Sequence, residues 1–306
     1  LNKSSFKDKS SYGYAMAIFA ALLWSGNFII AKDSAKSISP ASLCFLRWTI
    51  AAILITPFVL KKIIKERSEI KKHIIHLTLT AIFGITLFNT FTYIAAPDVP
   101  AIHLSLFNAT ASPIFSIILA AIFLKERLTI VKLTGVFISI AGILMLLTNG
   151  QLQDLISFEF HKADWWIMAS ALAFAIYNIF VKTKPSALHP QVFLTIVFWI
   201  GILFLFPFFI REQLIKPTEI NLKNTASVLY LGIGASLIAY LCWNAAIRKI
   251  GAGKTALFGN LIPVFSMIEA ILILGEQLTT NQVISSILII AGLVVANSRM
   301  PKNEQR

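Results

Sequence analysis

The chain has 306 residues, of which 57% are hydrophobic and 13% charged, and its mean hydropathy is +0.77. A soluble domain carries roughly 25% charged residues, so this composition excludes one. The net charge of +13 would suit a nucleic-acid binder, but the basic residues lie between long apolar runs, where positive loops on one side of a membrane account for them.

Taken in order, the chain offers ten apolar segments, each long enough to cross a bilayer as a helix. The first five run at 12–31, 40–60, 74–95, 99–124 and 130–148, the second five at 164–181, 190–210, 225–247, 252–274 and 280–297. The first follows LNKSSFKDKS and superficially looks like a signal peptide. Its counterpart recurs 150 residues later, where no signal can stand, so it reads as a retained first helix. Cys44 and Cys242 both fall inside spans and imply neither a disulfide framework nor a metal site.

An internal repeat organises the whole. A shift of 150 brings Pro113, Phe115 and Ser116 onto Pro263, Phe265 and Ser266, and Glu126 onto Glu276. It also matches Leu128-Thr129 with Leu278-Thr279, Ala141-Gly142 with Ala291-Gly292, Pro40 with Pro190, Pro57 with Pro207 and Gly84 with Gly234. Agreement of apolar residues is expected by chance; agreement of prolines, glycines and a glutamate is not. Two five-helix units are expected, 12–148 and 162–298.

With a cytoplasmic N-terminus, 20 of the 27 basic residues fall in inside segments and six in outside ones. That bias predicts both termini in the cytoplasm. Five spans per unit is an odd number, so the second unit enters the membrane from the opposite side. Inverted repeats are a recurrent design of secondary transporters, with the substrate site near the midplane at the repeat interface.

Each unit ends in a proline-bearing helix, a short [KG]-E-x-L-T turn and a helix closing on Ala-Gly, and the second span carries Pro40, Arg47 and Ala51. In these features the chain resembles the drug/metabolite transporter superfamily, and within it the bacterial EamA-type exporters. The resemblance implies an all-α polytopic fold, ten transmembrane helices as two inverted five-helix repeats around a central cavity lined mainly by spans 1, 3, 4, 6, 8 and 9. It also implies efflux or exchange of small metabolites without ATP, and the chain has no GxxxxGK[ST] sequence.

Polar groups at membrane depth are costly unless partnered, so each needs an account. The third span places Thr86, Asn89, Thr90 and Tyr93 on one face; the eighth places Ser236, Tyr240, Trp243 and Asn244 at corresponding positions. Facing stripes suit a cavity that orients a small ligand, although interhelical hydrogen bonding would use the same residues. Trp24 and Asn27 in the first span, Tyr177 and Asn178 in the sixth, and Asn260 in the ninth join the candidate lining. Aromatic faces enclose a ligand while amides fix its polar end. His103 and Phe107 lie one turn apart in the fourth span, where His103 could bind substrate, take a proton or serve structure alone.

Glu269 is the sharpest single residue, since its repeat equivalent is Leu119 and the shared scaffold does not explain it. It is the candidate for proton coupling. Arg47 is equally lone, matching Val197. The structural alternative for both is a buried ion pair, with each other or with Asp33 or Asp98. Pro113 and Pro263 each interrupt a helical hydrogen bond and are hinge candidates. Glu126 and Glu276 read as marks of the fold, with Thr129 and Thr279 as helix N-caps.

The expected protein is a secondary transporter of the bacterial inner membrane, exporting amino acids or related small metabolites, with protons as a candidate driving ion. The alternative within transport is a gradient-driven exchanger of nucleotide-like or sulfonium compounds such as S-adenosylmethionine. An intramembrane enzyme would need a convergent catalytic set, and neither HExxH nor GxSxG is present. The expected partners are a small-molecule substrate and the lipid bilayer, with no nucleic acid, cofactor or metal. A monomer or weak dimer suffices, since one chain already holds both repeats.

Overall fold

The computed structural model describes residues 3–123, 129–147, 161–250, 258–259 and 261–297. Within them the chain is helical, with no strand. Helices α1 (Lys3–Ser34), α2 (Pro40–Lys65), α3 (Ile74–Asp98), α4 (Ala101–Phe123) and α5 (Ile130–Leu147) form the first half. The second half holds α6 (Lys162–Lys182), α7 (Pro190–Ile215), α8 (Leu222–Leu229, continuing through Tyr230–Ile238 into Ala239–Ile250), α9 (Leu261–Leu274) and α10 (Thr280–Asn297). Seven of the ten are long and apolar enough to span a membrane, and α5, α9 and α10 contain shorter apolar segments.

Local signals set the helix boundaries. Pro40 and Pro190 each occupy the first turn of their helix, where the missing N–H breaks no bond. Glu212, near the end of α7, accepts from the backbone N–H groups of Ala41 and Ser42 at 3.1 and 2.7 Å. Reciprocally, Glu66 at the end of α2 accepts from His189 N–H at 2.9 Å, immediately before α7. Each helix thus ends by supplying a carboxylate to the positive start of the other. Glu276 does the same for α4, accepting from Ala101 and Ile102 N–H at 2.8 and 3.3 Å. Gly275, at φ 67°, adopts the left-handed conformation that turns the chain out of α9 and presents that glutamate. Thr279 caps α10 as expected, accepting from Gln282 N–H at 3.2 Å while Gln282 Oε1 accepts from Thr279 N–H at 3.0 Å. Glu126 lies outside the described residues.

Helix pairing reproduces the repeat. The main contacts join α1 to α8, α3 to α6, α1 to α9, α4 to α6, α2 to α7 and α5 to α10. Exchanging each helix with its counterpart in the other half maps this set onto itself, as a pseudo-twofold relation requires. The α5–α10 pair shows it at atomic scale. A Cβ on Gly142 would meet Ile289 and Ser285, and one on Gly292 would meet Ser139 and Gly135, the same contacts displaced by 150. Small residues let these two backbones approach closely.

Wide turns of π-helix interrupt α3 at Ile82–Leu87 and α8 at Tyr230–Ile238, spanning the repeat-related Gly84 and Gly234. A third occupies Ala270–Leu274 in α9. The described part of α9 runs from Leu261 and includes Pro263. The backbone of α4 runs helical through Pro113.

Candidate functional site

The centre of the bundle is organised on Arg47. It lies seven residues into α2, about 10 Å along the axis from Pro40, and is 4% exposed. Nη1 donates to Asn27 Oδ1 at 2.5 Å, to Asn89 Oδ1 at 3.1 Å and to the Tyr93 hydroxyl. Nε and Nη2 both donate to Ser236 Oγ, at 3.0 and 2.8 Å. Tyr93 OH in turn donates to Asn27 Oδ1 at 2.8 Å. The acceptors come from α1, α3 and α8, so both halves contribute.

The local structure explains the convergence. Asn89 and Tyr93 are four residues apart and share one face of α3. Ser236 belongs to the widened turn of α8, a departure from α-helix frequent at functional sites. The predicted four-residue stripe on α3 is nevertheless divided. Thr86 Oγ1 points to Gly201 O at 3.4 Å and Thr90 Oγ1 to Cys44 Sγ at 3.6 Å.

The ion pairs considered for Arg47 do not form. Asp33 pairs with Lys223 at 2.7 Å, and Glu269 Oε1 accepts from Ser25 Oγ at 2.9 Å. Among the described residues Arg47 pairs with no carboxylate. Glu269 Oε2 is buried with no hydrogen-bond partner among them. Ser25 and Asn27, two residues apart on α1, project to roughly opposite faces, so Glu269 and Arg47 sit on either side of that helix.

An aromatic pair adjoins the cluster. Trp24 Nε1 donates to the carbonyl of Ala235, next to Ser236, at 3.0 Å, and the Trp24 and Trp243 rings lie 4.9 Å apart. Tyr240, three residues before Trp243, is half-buried. The side chain of Asn244, all of Asn260 and the side chain of Pro113 lie outside the described residues.

The remaining candidates form a second group between α3, α4 and α6. Tyr177 packs its ring on Gly84, where a Cβ would stand 2.1 Å from the ring, and Asn178 Nδ2 donates to Ser116 Oγ at 3.4 Å. His103 Nε2 lies 3.2 Å from Asp164 Oδ1, and the His103 ring is 6.0 Å from that of buried Phe107. Asp164 Oδ2 also accepts from His161 N–H at 3.1 Å. Deeper, Asn108 Nδ2 donates to Thr92 Oγ1 and Ser170 Oγ at 3.2 and 3.1 Å.

Sequence reasoning missed Asp164, Ser25, Asn108, Thr92 and Ser170, and left Arg47 outside the lining. A signal existed for two of them. Arg47 was noted as a charge without a repeat counterpart, and His161-x-x-Asp164 opens a span with the spacing of a cap. The serines and threonines carried none, because such residues bond their own helix as readily as a neighbour.

A bundle of mostly apolar helices, seven of them able to span a membrane, with a buried polar cluster drawn from both halves defines a polytopic membrane protein of the transporter class. The chain belongs to the EamA-like transporter family, whose model matches it twice, over residues 11–148 and 161–298. It is 26% identical to the uncharacterised transporter YyaM of Bacillus subtilis (strain 168), covering 94% of this chain and 95% of that one. It is also 26% identical to a "probable amino-acid metabolite efflux pump" of Salmonella typhimurium, covering 92% and 93%. A "probable terminal-alkyne amino-acid exporter" of Streptantibioticus cattleyicolor is 23% identical, with 92% of each chain covered. A protein of known crystal structure shares the fold at a TM-score of 0.61 and 19% identity, covering 94% of this chain and 96% of that one.

Proposed function

We propose that the protein is a secondary active transporter that exports amino acids or related small metabolites across a bacterial inner membrane by alternating access. The observation that carries this reading is the Arg47 cluster, a polar site at bilayer depth built by helices of both halves. Secondary transporters place their substrate site at such a repeat interface. The names of two relatives above, an amino-acid metabolite efflux pump and an amino-acid exporter, support that substrate class.

In this reading the units 12–148 and 162–298 are inverted repeats, and both termini are cytoplasmic. Asn27, Asn89 and Tyr93 then lie toward the outer side and are buried, whereas Trp24, Trp243, Tyr177 and Tyr240 are half-buried. On this reading the buried cluster closes the outer end of the bundle. Glu269, with one buried carboxylate oxygen unpartnered among the described residues, is the group assigned to proton coupling.

Thermal stabilisation of the detergent-solubilised protein by a metabolite panel tests the substrate class. The panel holds aromatic and small amino acids, nucleotides, S-adenosylmethionine and quaternary amines at two pH values. Amino acids are expected to raise the melting temperature of the wild type and not of Asn89→Ala or Trp243→Ala. Stabilisation unchanged by both substitutions would show that these side chains only pack. In proteoliposomes, Glu269→Gln is expected to remove the dependence of transport on a pH gradient; a variant that still follows the gradient rejects the coupling role.

A further inference from the structure

We infer that Arg47 recognises an anionic carboxylate on the transported molecule, an inference that rests on the transporter reading above and names the chemical group its site selects.

A guanidinium in a bilayer-spanning bundle is expensive unless its charge is balanced, and balance ordinarily comes from a carboxylate. Here the surroundings are two amide oxygens, two hydroxyls and the ring of Trp48, whose centroid lies 5.0 Å from Cζ. All are neutral. They satisfy the donors without cancelling the charge. Of the three acidic residues considered as partners, Asp33 is engaged by Lys223 and Glu269 by Ser25 across α1, and Asp98 makes no ion pair with Arg47 among the described residues. The positive site is therefore built and left electrically open.

The geometry favours a carboxylate over other anions of similar charge. Nη1 serves three acceptors with two N–H bonds, so the amide oxygens of Asn27 and Asn89 compete for it. A carboxylate meets the planar fork with two oxygens and stronger, charge-assisted bonds. Both amides, once displaced, can turn their NH2 groups toward the ligand, and Asn89 Nδ2 leaves only long contacts of 3.4 and 3.5 Å with Gly84 and Ile85 carbonyls. Beside the guanidinium, Trp48 Nε1 is a buried donor with no acceptor among the described residues. Among the described residues Arg47 is the one basic side chain in this cluster, and polyanions such as sugar phosphates would demand several. A single carboxylate is the charge it matches.

Displacement would also have a mechanical result. The same bonds tie α2 to α1, α3 and α8, so a ligand that takes the fork releases three helices at once. Recognition and opening of that end of the bundle would be one event.

The test compares matched ligands on the full-length protein in detergent: leucine and phenylalanine, their amides, and the corresponding deaminated acids. Two variants accompany the wild type. Arg47→Gln removes the fork, and Asn89→Asp supplies a permanent carboxylate where Oδ1 now stands 3.1 Å from Nη1. Ligands bearing a carboxylate are expected to stabilise the wild type, with the amides weaker by about tenfold or more in half-saturating concentration, as loss of a charge-assisted bond implies. Asn89→Asp is expected to melt higher than wild type without ligand and to lose the response to carboxylates. It carries the test even where Arg47→Gln fails to fold.

Amides that stabilise as well as the acids overturn the carboxylate inference and leave the transporter reading standing. Deaminated acids that act through Arg47 while amino acids do not would reject the amino-acid reading and keep the inference. An Asn89→Asp protein that still responds to carboxylates overturns the inference, as does a wild type that no carboxylate stabilises.

Discussion

Arg47 and Ser236 are 189 residues apart in the chain, yet Ser236 Oγ accepts from both Nε and Nη2 of that arginine, at 3.0 and 2.8 Å. The bond joins α2 of the first half to the widened turn of α8 in the second. Because the hydroxyl accepts from two donors of the guanidinium, Ser236→Ala leaves part of a buried charge unsatisfied. The expected cost is about 1–3 kcal/mol, read as a lower melting temperature in detergent. Ser236→Thr keeps the hydroxyl and is expected to recover most of it.

Glu276 tests the capping role of the repeated Glu-x-Leu-Thr turn that follows α9. Its two oxygens accept from Ala101 and Ile102 N–H at the start of α4. Glu276→Ala should destabilise by about 0.5–2 kcal/mol, the range of a lost cap. Glu276→Gln keeps an acceptor and loses only the charge favoured by the helix dipole, so its melting temperature should fall between the two.

The α5–α10 contact predicts a paired result. A Cβ on Gly292 would stand 2.4 Å from Ser139 Oγ and 2.6 Å from Gly135 O, whereas one on Gly142 would stand 2.8 Å from Ile289 Cγ1 and 3.0 Å from Ile289 N. Both alanine variants should lose stability by about 1–3 kcal/mol, as overpacking does, with Gly292→Ala the worse because its nearest backbone atoms stand at 2.6 Å, against 3.0 Å at Gly142. Equal melting temperatures for wild type and both variants would show that the helices separate without cost.

Asp164 is 2% exposed and holds His103 across the α4–α6 contact at 3.2 Å. Asp164→Asn is expected to reduce thermal stability, since it removes the carboxylate that accepts from His161 N–H and faces His103. His103→Gln should cost less, because it leaves the cap of α6 intact. If His103→Gln alone abolished ligand stabilisation while folding normally, His103 would belong to the binding site and not to the scaffold.

Much of the architecture was legible because hydropathy and repetition are properties of sequence. A bilayer requires every backbone polar group to be satisfied internally, and runs of about 20 apolar residues do so as helices. The shift of 150 then predicted which helices would play matching roles, and the contacts of Gly142 with Ile289 and of Gly292 with Ser139 show that match in space. The limits were local. Thr86 and Thr90, expected on one stripe with Asn89 and Tyr93, turn instead to Gly201 O and Cys44 Sγ, since hydropathy does not say which neighbour a polar side chain meets.

The polar side chains divided differently. From sequence alone, Asn89 and Tyr93 could be assigned to one face of α3, and Arg47 could be recognised as a charge without a counterpart. Sequence could not say what that charge meets. Helical periodicity determines the direction in which a side chain leaves its own axis, but not which neighbouring helix stands there. The ion pairs with Glu269, Asp33 or Asp98 were as reasonable as any until packing placed Asn27, Asn89, Tyr93 and Ser236 around the guanidinium. Composition and repeat thus determined a membrane-spanning, two-part helical bundle, because burial in lipid acts on each segment separately. Only the tertiary structure decided that its central cation has neutral company, because that depends on which helices touch.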